Sequence, residues 1–156
     1  MRSASALAAP AGPRGASRFA YPVLRTASIT LAVFIAVVSL DHDPSGVTGG
    51  GGVIAEAVSR ILFGTADYGD KVAHFAAYAA LSFVTSLAFG RHREPAAIVL
   101  LALLVFGGAL ELLQAAGGVR TGDWLDLLAN TLGIMAGGAA GAAARLFARW
   151  RGIRLA

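Results

Sequence analysis

Four stretches of the chain are apolar over the length that a bilayer-spanning helix requires, near 23–40, 71–89, 96–115 and 124–146. A hydrocarbon core of about 30 Å is crossed by roughly 20 helical residues. The first stretch is the shortest, because its uninterrupted apolar part runs only from Ala27 to Leu40. Such a length also suits the core of a signal peptide, but no small-x-small cleavage pattern follows Leu40 and the basic leader is long, so a retained span is expected. Between the first two spans, "GVTGGGG" reads as a flexible linker, while "VIAEAVSRILF" (53–63) has apolar positions at helical spacing with Glu56 four residues before Arg60. That segment predicts a short amphipathic helix on the outer membrane surface. No repeat of 20–50 residues is present. The Pro- and Ala-rich leader, 1–20, predicts disorder, which leaves one domain over 21–147 and a basic tail over 148–156.

Composition agrees with the pattern. The chain has 156 residues, of which 56 % are hydrophobic and 14 % charged, too apolar a balance for an ordinary soluble domain. It has no cysteine, which removes disulfides and thiolate metal sites. A net charge of +4 invites a nucleic-acid partner, but the charges are segregated rather than spread as a basic face. Arg2, Arg14, Arg18 and Arg25 precede the first apolar core, Arg91 and Arg93 lie in a short break, and Arg145, Arg149, Arg151 and Arg154 close the chain. Arginine-rich ends stay in the cytoplasm, so leader, break and tail all belong inside. The acidic connections 41–70 and 116–123 then lie outside. The expectation is an all-α integral membrane bundle of four transmembrane helices with both termini cytoplasmic, and no nucleic acid as partner.

Orientation changes the meaning of the polar residues within the spans. Asp70, His74 and Tyr78 recur every four residues, and Lys71 stands three before His74, so all four share one helical face at the outer end of the second span. Glu111 and Gln114 are three apart near the outer end of the third span. In the last, Asp123, Asp126, Asn130, Gly133, Gly137 and Gly141 form one stripe. Its inner part is the small-residue pattern that lets membrane helices approach closely; its outer part is carboxylate and amide. An ionised group in hydrocarbon is costly unless paired or wet. The polar faces are therefore expected to meet in a pocket open to the outside.

Each feature also has a plain structural reading. Asp70 and Asp123 suit helix starts, Lys71 suits an interfacial snorkel, and Glu111 suits an ion pair with Lys71 or Arg120. Tyr21, Trp124 and Trp150 fit interfacial anchors, and His42 and His92 fit solvated loops. His74, Glu111 and Asp126 have the residue types of a metal site, but one histidine with scattered carboxylates is a thin signal, and no metal or other cofactor is expected. The chain has no G-x-S-x-G, no Walker-type phosphate loop and no H-E-x-x-H. A proton-coupled exchanger would want its carboxylate nearer the midplane than Glu111 lies.

"DKVAHFAAYAAL", "GGALELLQ" and "RTGDWLDLLANTLG", within 70–141, resemble in order and spacing the signature blocks of the VanZ-like family, bacterial integral membrane proteins named for an accessory protein of teicoplanin resistance. Asp70, Lys71, His74, Phe75, Tyr78, Gly107, Glu111, Gln114, Arg120, Asp126, Asn130 and Gly133 stand at signature positions; the first span and the glycine run carry none. The resemblance implies the bacterial cytoplasmic membrane and a cell-envelope role near lipid-linked wall precursors or a glycopeptide. Three readings follow. In the first, Lys71 and Arg120 contact an anionic headgroup while Glu111, Asp126 and Asn130 hold hydroxyls or an amine, with Asp70, His74, Tyr78 and Gln114 completing the ligand-binding set. In the second, His74 is a general acid or base acting on a lipid-linked, phosphate-containing substrate, oriented by Glu111 or Asp126. In the third, the cluster is a buried latch that fixes helix register. Membrane lipids are expected partners, and a homo-oligomer is compatible with the glycine stripe.

Overall fold

The structure, a computed structural model, describes residues 16–41, 45–89, 96–118 and 123–152. These form five helices: α1 (Ala16–Leu40), α2 (Ser45–Phe63), α3 (Gly69–Phe89), α4 (Ala96–Gly117) and α5 (Trp124–Trp150). Pro22–Leu40, α3, α4 and α5 are each long and apolar enough to cross a membrane, and their bounds agree with the expected spans to within a few residues. The protein is a four-span membrane bundle with one additional helix.

That additional helix contains the helical segment expected over 53–63 and extends beyond it. The glycine run read as a flexible linker is helical, and α2 begins at Ser45 rather than near Val53. Each glycine in a helix costs about 1 kcal/mol against alanine, but once the amphipathic segment has nucleated, elongation adds one hydrogen bond per residue fixed. An apolar surrounding also rewards a backbone that satisfies its own polar groups. Likewise α1 starts at Ala16, so 16–20 of the leader are helical; residues 1–15 lie outside the described residues. The sequence from Ala16 to Tyr21 holds no glycine or proline that would stop helix elongation.

Helix ends follow local chemistry. Gly64 (φ 77°) ends α2, its N–H donating to Arg60 O at 3.0 Å, and Gly118 (φ 65°) ends α4; this left-handed conformation favours glycine. At the other pole, Asp123 caps α5 by accepting from Leu125 N at 2.9 Å.

Helix α3 is the hub, touching α1, α2, α4 and, most extensively, α5. A Cβ added at Gly133 or Gly137 would run into the backbone of Phe75 or Ala79, and one at Gly141 would meet Ser86 Cβ at 2.7 Å. The two helices therefore touch backbone to backbone, which hydrogen atoms alone in place of side chains permit. Hydroxyls fasten this seam: Ser82 Oγ donates to Ile134 O at 2.7 Å, and Ser28 Oγ and Thr85 Oγ1 lie 2.6 Å apart between α1 and α3. The core around it is Ile35, Tyr78, Leu81, Leu103, Leu110 and Ile134. Most large apolar side chains elsewhere point outward, including Val33 on α1, Leu101 on α4 and Met135 on α5, as a lipid-facing exterior requires.

Candidate functional site

The start of α3, the end of α4 and the start of α5 come together at one end of the bundle, and each brings polar groups. Lys71, in the first turn of α3, is held by three carboxylates: Asp70 Oδ2 at 2.7 Å, Asp123 Oδ2 at 2.6 Å and Asp126 Oδ1 at 2.8 Å. Its side chain is only 18 % exposed, so it does not snorkel to headgroups. Asp70 Oδ1 also accepts from the Lys71 backbone N–H at 2.9 Å. An ammonium has three protons to donate, and three aspartates meet it.

A second group joins all three helices. Asn130 Nδ2, on α5, donates to Glu111 Oε1, on α4, at 3.2 Å. Asn130 Oδ1 lies 2.9 Å from His74 Nδ1, on α3, and Glu111 Oε1 lies 3.9 Å from the same nitrogen. His74 and Glu111 have side chains 12 % and 13 % exposed, while Asp126 and Asn130 are buried at 5 % and 1 %. The spacing Asp126–Asn130 is one helical turn, so a single face of α5 serves both groups.

The sequence-predicted residues sort into three sets. Asp70, Lys71, His74, Glu111, Asp126 and Asn130 converge. Gln114 does not join them: it is buried, and its Nε2 donates to Ser39 O at 2.7 Å, tying α4 to α1. Tyr78 is also core, its ring 6.4 Å from that of Phe106 and tight against Gly107, with its hydroxyl in electrostatic reach of Glu111. Arg120, Tyr21, His42 and His92 lie outside the described residues or side chains. Of the two ion-pair partners weighed for Glu111, Lys71 is taken up by aspartates and Arg120 lies outside the described residues, while the Asn130 amide donates to Glu111. Asp123, which heads the expected α5 stripe but stood outside the expected ligand-binding set, both caps α5 and contacts Lys71. An open apolar groove runs along α1, lined by Pro22, Val23, Thr26, Thr30 and Phe34, and contains no residue of the cluster.

Chemically, the site offers carboxylates and an amide to hydroxyl, amine or metal, and one imidazole held by a neighbour. No curated protein and no solved structure matches the chain at a significant level. A family model described as VanZ/LLP1 matches residues 21–145, which takes in the first span and α2 as well as the three polar blocks. With that match over most of its length, this four-span membrane protein belongs to the VanZ/LLP1 family.

Proposed function

We propose that the α3–α4–α5 cluster binds the polar headgroup of a membrane lipid or lipid-linked wall precursor, or a glycopeptide, on the outer face of the bacterial cytoplasmic membrane. In this reading the protein is a cell-envelope accessory module of the glycopeptide-resistance type. The observation that carries it is the convergence of seven ionisable or amide side chains from the α3, α4 and α5 segments in two adjoining contact groups. Such groups are expensive in hydrocarbon and are kept where they serve a ligand or path. Glu111, Asp126 and Asn130 hold hydroxyl or amine donors. Lys71, enclosed by aspartates, sets their positions rather than meeting an anion, which leaves Arg120 as the cation for a phosphate or carboxylate. Native mass spectrometry of the purified protein with a polyprenyl-linked wall precursor and with teicoplanin tests this. Glu111→Gln and Asp126→Asn are expected to weaken binding about 10-fold or more, the worth of a hydrogen bond to a charged group. Unchanged binding in both variants refutes it.

The second reading, an enzyme acting on a lipid-linked phosphate substrate, is supported by the Asn130 contact that orients His74. An imidazole so held can take or give a proton at its other nitrogen. Incubation with polyprenyl-linked phosphates and a search for a mass change, with His74→Ala as control, decides it; no turnover across such a panel removes this reading.

A further inference from the structure

We infer that His74, Glu111 and Asp126 form a binding site for a divalent transition-metal ion of the Zn²⁺ or Mn²⁺ class, with Asn130 holding the histidine in place. One ring nitrogen of His74 and one carboxylate oxygen each from Glu111 and Asp126 lie within 4.8 Å of one another. They come from α3, α4 and α5 respectively, so the grouping is not an accident of neighbours along one helix. Ligand atoms of a filled site stand about 3–4 Å apart, a closure of about 1 Å that side-chain rotation supplies.

The hydrogen bonds fix the histidine for this role. Asn130 Nδ2 donates to Glu111, so Asn130 Oδ1 is the atom facing His74 Nδ1. Turning the amide over would set two acceptor oxygens against each other at 3.2 Å. An acceptor beside Nδ1 demands a proton there, and the neutral ring then keeps its lone pair on Nε2. A histidine whose second nitrogen donates to a carbonyl is the usual condition of a metal-bound imidazole.

Asp126 supplies an independent sign. It is 5 % exposed, and its buried Oδ1 accepts no hydrogen bond of good geometry, although Lys71 Nζ touches it at 2.8 Å. Because Lys71 keeps Asp70 and Asp123, Asp126 can turn to a cation without stranding the ammonium. One imidazole with two carboxylates suits Zn²⁺, Mn²⁺ or Fe²⁺ better than Mg²⁺ or Ca²⁺, which prefer all-oxygen shells.

The inference goes beyond headgroup binding and holds for the protein alone. Only one corollary rests on that reading: a bound cation gives a phosphate the positive partner that Lys71, occupied by aspartates, does not. The test uses the 156-residue chain in detergent, stripped with EDTA and titrated with Mn²⁺ alone, free Mn²⁺ being read by electron paramagnetic resonance and Zn²⁺ by elemental analysis. One ion per chain is expected. His74→Gln, Glu111→Gln and Asp126→Asn should each weaken binding at least tenfold, Asn130→Ala about 10–100-fold, and Ser82→Ala not at all. The three ligand variants keep side-chain size, and a native chromatographic profile identifies those that fold; any one of them suffices. Wild type without stoichiometric metal, or ligand variants that bind as wild type does, overturns the site. No lipid or antibiotic is present, so this outcome is separate from that of the headgroup experiments.

Discussion

The two halves of the α3–α5 contact are built from opposite materials. From Gly133 to Gly141 the helices meet with no side chain between them on the α5 side, closed by backbone contact and the Ser82–Ile134 hydrogen bond. From Asp123 to Asn130 the same face of α5 carries three buried or half-buried polar side chains, which reach across to Lys71 and His74. Glycine fixes distance, since only one separation brings two backbones into van der Waals contact. The charges do not fix distance, because ammonium–carboxylate pairs tolerate several arrangements. The packed half therefore acts as the ruler, and the polar half lies where the ruler puts it.

Substitutions that harm each half differently put this to the test. The largest effect is expected at Gly137→Leu, whose side chain must enter space held by the Ala79 backbone. Overpacking that the backbone cannot relieve costs about 3 kcal/mol or more, read as loss of a folded species in a denaturing-detergent titration. Next is Lys71→Met, which leaves Asp70, Asp123 and Asp126 facing one another without their ammonium. Because Asp70 and Asp123 keep part of their exposure while Asp126 is buried, about 1–3 kcal/mol is expected. A Lys71→Met variant as stable as wild type in the same detergent titration would contradict the ion-pair account. Ser82→Ala should cost less, about 0.6 kcal/mol, the average for a hydrogen bond between membrane helices. Trp150→Ala, at a residue 78 % exposed, should leave stability within about 0.5 kcal/mol. If Ser82→Ala outweighed Gly137→Leu, the ruler would be the hydrogen bonds and not the glycines.

The spans and the glycine stripe were legible in the sequence because membrane burial is a property of segments, and length with hydropathy states it directly. The convergence of Lys71, His74, Glu111, Asp126 and Asn130 was legible too, since charge counting gave each helix a direction and helical spacing gave each residue a face. Who pairs with whom was not. Gln114 finds Ser39 O on α1, and no side-chain pattern announces a backbone acceptor. Lys71 prefers three aspartates to Glu111 because two of them stand at helix starts that the fold brings side by side, a three-dimensional fact absent from spacing along either segment. The helical glycine run of α2 defeats intrinsic propensity for a different reason: helix continuation is decided by the surroundings and the neighbouring turns, not by each residue alone.

The corner between α2 and α3 carries one further consequence. Gly69 leaves room for Glu56 so close that an added Cβ would lie 3.0 Å from Glu56 Cγ, and Ser59 Oγ grips Thr65 O at 2.7 Å. Ile61, Leu62 and Phe63 stay uncovered beside this joint. The same corner leads directly into the turn that carries Asp70 and Lys71, so a substitution that pries α2 from α3 there is expected to disturb the aspartate cradle as well.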